Sequence, residues 1–242
     1  MAPFEALNET AASPLVLLCE HASNHVPEHY NGLGLPESEL ERHIAWDIGA
    51  AKVTRSLSRL LNAPAFLGTF SRLLIDLNRP LHVPESIVAR SEATDIPGNV
   101  GLSDDERQRR TQTMFRPFHD RVEQHLERRQ RAGLPVVIVA VHSFTPVYHG
   151  VARPWHAGVL FGSGEALAKT IIQRLRTGDA SLVVDANVPY NVGPDDEYGL
   201  LVYGDNRGNP AILIEMRQDL IAADAGAEEW AHRLAAALQL PF

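Results

Sequence analysis

Three apolar runs in this sequence end on a residue able to bind a metal or move a proton. "PLVLLC" (14–19) leads into Glu20 and His21, "VVIVAV" (136–141) into His142, and "AILIE" (211–215) closes on Glu215. Imidazole and carboxylate are donors that suit zinc, and a catalytic zinc keeps three protein ligands plus a water whose pKa falls to about 7. A lone histidine after a strand is ordinarily a hydrogen-bonded loop residue; three coincident strand ends point instead to a site. His21 and His142 are the natural first two ligands. For the third, Asp47 in "HIAWDIGA" ranks first, because it stands just ahead of a helix as its cap, at the edge of the same crevice. Glu20 ranks second, since neighbours on an extended segment face opposite ways, and Asn24 third, because amides bind zinc weakly. Glu215 closes an apolar run and needs a cation, a polarised water or an arginine such as Arg217 beside it.

A second constellation lies in "SRLLIDLNRP" (71–80). If 73–77 is a strand, alternation sends Asp76 and Asn78 to one face and Arg79 to the other, unless the chain turns ahead of Pro80. The rigid fork of a guanidinium matches a carboxylate, so Arg72 or Arg79 beside a metal would clamp an acidic substrate. The competing reading is an Arg–Asp76 ion pair that ties two chain segments together. His25, His29, His43, His119, His125, His149 and His156 read as caps, surface groups or supporting donors. No GxxxxGK[ST] or GxGxxG motif is present, and no GxSxG elbow; "FGSGEA" (161–166) reads as a glycine turn with Ser163 capping a helix.

The elements that must position these residues alternate. Strands are expected at 14–19, 73–77, 136–141, 158–161, 181–185 and 211–215, and helices at 37–45, 48–61, from Ser103 to Gly133, 164–176 and 226–238. Glu106 stands three residues after Ser103, the spacing of a capping box, and Pro117 is expected to kink or divide that helix. The pattern implies an α/β domain, a three-layer sandwich around a mixed, largely parallel central sheet. Residues 1–14 read as an N-terminal tail and 15–242 as one α/β hydrolytic domain. In open α/β sheets ligands gather outside the carboxyl ends of the strands, where His21, His142 and Glu215 fall. The long aperiodic stretches 82–101 and 186–199 are candidate binding loops.

A formal charge of −8 argues against a broad nucleic-acid-binding surface. One cysteine, Cys19, leaves no internal disulfide framework, which favours a reducing compartment and a cytoplasmic protein. The N-terminus does not read as a signal peptide, and no apolar run approaches the roughly 18–20 residues that span a bilayer, so no membrane partner is expected. The oligomeric state is left open.

"CEHASNHVP", "HIAWDIGA", "SRLLIDLNRP", "HSFTP" with "RPWHAGVLF", "NVPY" and "IEMRQDLI" occur in the order and at about the spacing seen in the N-formylglutamate amidohydrolase family, which the chain resembles from about residue 15 to 222. The resemblance implies a zinc hydrolase whose fold is similar to the zinc exopeptidase (phosphorylase/hydrolase-type) fold of the metallocarboxypeptidases. It implies metal ligands at His21 and His142 with Asp47, a base and acid at Glu215, and Asn78 with Arg79 on the substrate carboxylate; Arg72 and Arg217 are further candidate substrate-binding residues. The implied reaction is hydrolysis of a small acidic N-acyl amino acid such as N-formylglutamate, releasing formate and the amino acid, a step of amino-acid catabolism. Broader N-acyl-amino-acid or peptide-like hydrolysis, and non-catalytic binding of an acidic metabolite, are the alternatives. The chain departs from the expected pattern at Asn24, where a His-x-x-Glu motif would carry its carboxylate, and at Tyr203, Gly204 and Asp205, where a histidine is expected.

Overall fold

The computed structural model describes residues 1–193 and 195–239. Seven strands form one sheet: β1 (Phe4–Leu7), β2 (Leu15–Cys19), β3 (Ala65–Gly68), β4 (Val137–Phe144), β5 (Ala157–Leu160), β6 (Val184–Ala186) and β7 (Ala211–Arg217). Their order is β1-β3-β2-β4-β7-β5-β6. Neighbours run parallel except at the β1–β3 and β7–β5 pairs, so the sheet is mixed and mostly parallel. The helices longer than one turn are α1 (Ala50–Leu61), α2 (Asp104–Arg110), α3 (Arg116–Arg131), α4 (Glu165–Gly178) and α5 (Asp224–Ala237).

Both faces of the central strands are covered, which is why β2, β4 and β7 read as unbroken apolar runs. The period of two splits each run between two cores. Leu15, Leu17, Val139, Val141, Ile212 and Ile214 pack with Leu57, Ile171 and Trp230 from α1, α4 and α5. Val16, Leu18, Ile138, Ala140 and Leu213 pack with Phe118, Val122 and Leu126 from α3. The result is the three-layer α/β sandwich expected.

Ser103 caps α2 by accepting the Glu106 N–H at 3.2 Å. A π-turn at Thr111–Phe115 joins α2 to α3 and places Pro117 in the first turn of α3, where its missing N–H is harmless. The expected helix at 37–45 is limited to Glu37–Leu40, since the chain then bends until the Asp47 N–H meets the His21 carbonyl at 2.9 Å.

Two elements differ from expectation in a way that matters for the site. Residues 1–14 hold the edge strand β1, paired antiparallel to β3, and so are more than a tail. Residues 73–77 are not a strand but a series of turns. Side chains there take the bonds a ladder would have made: Ser71 Oγ accepts the Leu73 N–H at 3.2 Å, and Asp76 Oδ1 accepts the Asn78 N–H at 2.8 Å.

A buried polar clamp fixes these turns. Asn99 donates from Nδ2 to the carbonyls of Leu73 and Val88, both at 2.7 Å. Arg110, almost fully buried, donates to Asn99 Oδ1 (2.7 Å), the Leu74 carbonyl (3.0 Å) and Glu106 Oε1 (2.8 Å). Among the described residues no helix is long and apolar enough to cross a membrane. Asn99→Ala strands two carbonyls and one guanidinium donor, and should lower the unfolding free energy by about 1–3 kcal/mol in urea titrations. An unshifted midpoint would show that the clamp does not hold the loop.

Candidate metal centre and active-site cleft

The period-two pattern that fills the second core continues one step past its last apolar residue. Val16 and Leu18 are followed by Glu20, Ile138 and Ala140 by His142, and Ala211 and Leu213 by Glu215. Leu18 is in register with Ala140, and Glu215 with His142, so the strands deliver these three residues side by side at their carboxyl ends. β2 has ended at Cys19, and the turn that follows lets His21 join the same group.

Asp47 was expected to cap α1. It does not: the cap position is Gly49, and no side chain bonds there. The Asp47 carboxylate instead enters the crevice, where the Ser143 N–H donates to Oδ2 at 3.2 Å. That same oxygen lies 3.4 Å from His21 Nδ1 and 3.0 Å from His142 Nδ1. The imidazoles meet edge to face, with centroids 4.8 Å apart and planes at 84°.

The far nitrogens face acids of their own. His21 Nε2 is 2.7 Å from Asp76 Oδ1, and His142 Nε2 is 3.0 Å from Glu20 Oε2. Ionised carboxylates only accept, so each Nε2 carries a proton and each Nδ1 turns toward Asp47. Neutral imidazoles held this way aim lone pairs at a carboxylate, which a divalent cation between them would relieve. His21 Nδ1 is buried and has no hydrogen-bond partner among the described residues. Ligand atoms of His21, Asp47 and His142 all lie within 4.8 Å of one another. A carboxylate behind each ligating imidazole is the arrangement that fixes histidines on metals. The residues fit the cation.

Burial alone would raise the acids here, but the two histidines hold Asp47 well below the usual carboxylate range, and Arg72 with His21 does the same for Asp76. Without a cation, Asp47 and Glu20 outweigh burial and push His142 well above its ordinary value. Glu215 goes the other way. Burial, reinforced by Asp47 and Glu197 against the opposing His142 and Arg72, lifts it to about 8, and its Oε2 has no hydrogen-bond partner among the described residues. Burial also raises Glu197, and it pushes the Cys19 thiol to about 12, which leaves that cysteine unreactive.

His21, Asp47, Asp76, His142, Glu197 and Glu215 line a cleft of about 660 Å³ with Arg72, Asn78 and Arg79. Both long loops contribute walls, through Glu85, Val88 and Glu92 from one and Pro189, Tyr190 and Glu197 from the other. Two of the expected residues lie elsewhere. Asn24 donates to the Leu40 carbonyl at 3.0 Å, and Arg217 pairs with Asp219 at 2.8 Å. Arg72 is committed to Asp76 at 2.6 Å, with Asp47 at 3.6 Å. Asn78 is committed as well: Nδ2 donates to Glu197 Oε2 at 2.5 Å, and Oδ1 accepts the Gly199 N–H at 3.1 Å. Arg79 has no ion-pair partner among the described residues. Sequence reasoning missed Asp76 as the carboxylate behind His21, and it missed Glu197. A local signal existed for Asp76 alone, since Asp two residues before Asn is a turn-forming pattern.

The N-formylglutamate amidohydrolase family profile matches residues 13–222, a span that contains every residue of the site. Among solved structures, a gene product of Agrobacterium tumefaciens superposes with a TM-score of 0.93 at 39% identity, over 97% of this chain and 92% of that one. The N-formylglutamate amidohydrolase of Ralstonia eutropha JMP134 superposes with a TM-score of 0.72 at 21% identity, over 98% of this chain and 96% of that one. No curated protein sequence gives a significant match.

Because the raised His142 must give up its second proton to ligate, divalent metal binding should release protons into a weakly buffered solution, and apparent affinity should rise with pH. Calorimetry in buffers of different ionisation enthalpy reads this directly. Proton-neutral binding would contradict a doubly protonated His142 in the cation-free site.

Proposed function

The chain belongs to the N-formylglutamate amidohydrolase family, and from that membership and the cleft geometry we propose metal-dependent hydrolysis of an N-acyl amide of an acidic amino acid. N-formyl-L-glutamate is the leading substrate, with formate and L-glutamate as products. One observation carries the reading: a pair of carboxylate-backed imidazoles sharing Asp47 stands beside an uncommitted buried carboxylate, Glu215.

His21, Asp47 and His142 would hold one divalent ion, zinc being the leading choice by donor type. Bound there, such an ion polarises an amide carbonyl and lowers the pKa of water. Glu215 takes the proton from the attacking water and returns it to the departing nitrogen. A carboxyl lifted by burial is suited to both halves of that transfer, because its proton affinity lies near neutral. Asp76 and Glu20 orient the imidazoles. Arg72 balances Asp76 and Asp47 and serves the scaffold, and Asn78 ties the 186–199 loop to the turn at 76–79. The substrate α-carboxylate falls to Arg79, the cleft arginine left without an acid among the described residues.

His142→Ala should lose both bound metal and formate release. Glu215→Gln should keep the metal while kcat falls by about 10²–10⁴. Elemental analysis with a formate assay on N-formyl-L-glutamate checks both. Full turnover by Glu215→Gln, or by metal-stripped protein, would sink the mechanism.

A further inference from the structure

Arg153 stands out among the cations near the cleft. It follows a hairpin of Val147–Tyr148 and Val151–Ala152, closed by its own N–H on the Pro146 carbonyl at 2.8 Å. The residue is only 9% exposed, yet no carboxylate among the described residues lies within ion-pairing distance of it. Its surroundings are aromatic. The guanidinium carbon lies 4.5 Å from the Tyr148 ring centre, 4.9 Å from Tyr190 and 5.8 Å from Phe144. Nη1 donates to the Tyr190 hydroxyl oxygen at 3.0 Å. A cation so far removed from water, with no anion of the protein beside it, calls for an anion from elsewhere.

Tyr148 and Tyr190, which bracket it, both line the cleft that holds His21, Asp47, His142 and Glu215. Because Arg153 donates to the phenol oxygen, the Tyr190 O–H is left free to donate. Partial burial of its hydroxyl end raises that phenol to about 12 and keeps it protonated, although Tyr190 is 39% exposed as a whole. The arginines that line the cleft itself are accounted for: Arg72 by Asp76, Arg90 by Asp95, and Arg79 by the α-carboxylate assigned above. On the wall, Glu85 and Asp196 have no cationic partner among the described residues. A second substrate carboxylate left unmatched would be repelled there.

We propose that Arg153, held between Tyr148 and Tyr190 and acting with the Tyr190 hydroxyl, binds the distal carboxylate of the substrate and so determines selectivity for dicarboxylic over monocarboxylic N-acyl amino acids. The assignment rests on the amidohydrolase reading and deepens it: Arg79 takes one carboxylate and Arg153 the other.

The test compares wild type with Arg153→Gln, which keeps a donor for Tyr190 but loses the charge, and with Arg153→Lys, which keeps the charge. The substrates are N-formyl-L-glutamate and N-formyl-L-glutamine. Arg153→Gln should lower kcat/KM for the glutamate compound by about 10²-fold and leave the glutamine compound within about threefold, the range expected for removing one member of a buried charge pair. Arg153→Lys should recover part of the selectivity. An equal fall on both substrates would make Arg153 a prop for the tyrosines, and no fall on either would remove it from the site; both outcomes overturn the proposal. Calorimetric binding of glutarate against butyrate reads the same subsite without turnover. Glutarate should bind wild type more tightly, and Arg153→Gln should lose that preference. Wild-type protein that releases no formate would defeat the proposed function alone, whereas equal affinity for glutarate and butyrate would defeat the subsite.

Discussion

One carboxylate oxygen facing two imidazoles is the constraint on which the rest of this site depends. Asp47 Oδ2 lies between the Nδ1 atoms of His21 and His142, and each imidazole is locked from behind by a further acid. A buried carboxylate and two imidazoles can share so small a space only with a cation among them, whether protons or a metal. The surrounding acids then acquire distinct duties. Asp76 and Glu20 fix ring orientation and Asp47 supplies charge. Glu215, ion-paired with no residue among those described, is lifted by burial against the opposing His142 and Arg72 and keeps a high proton affinity.

The fold makes that arrangement affordable by building it on rigid parts. Glu20, His142 and Glu215 sit at the ends of adjacent, fully buried strands whose register is set by two apolar cores. Asp47 and Asp76 come from turns, and turns need other restraints. The backbone bond from Asp47 to His21 holds one, and the Asn99–Arg110 clamp under residues 73–74 holds the other. The outer wall comes from the two long loops, where variation costs the scaffold least and where substrate range is most easily set.

Much of this was legible in the sequence because it is local. Long β-branched runs that end on Glu20–His21, His142 and Glu215 announce buried strands with polar tips, and the aperiodic stretches 82–101 and 186–199 announce loops. What escaped is the pairing across distance. "LLIDL" has the composition of a strand, yet Ser71 and Asp76 capture its backbone N–H groups, and nothing in the run itself shows that Asp76 will face a histidine 55 residues away. β3 is too short to stand out, so β1, which exists only as its partner, was hidden too. Arg72 and Asn78 have the chemistry of substrate ligands and line the cleft, and their bonds to Asp76 and Glu197 also could not be read from the sequence. Arg153 opens the "RPWHAGVLF" motif, but nothing in that run shows that no acid among the described residues will face it, and such an absence emerges only after the chain has folded.

The most direct measurement of the central claim is crystallographic: zinc-loaded protein, with anomalous diffraction collected at the zinc edge. The expected result is one anomalous peak within about 2.0–2.2 Å of His21 Nδ1, His142 Nδ1 and an Asp47 oxygen, with no fourth protein ligand. A peak on the Nε2 side of either imidazole, a fourth protein ligand closing the coordination sphere, or no peak in the cleft would contradict it.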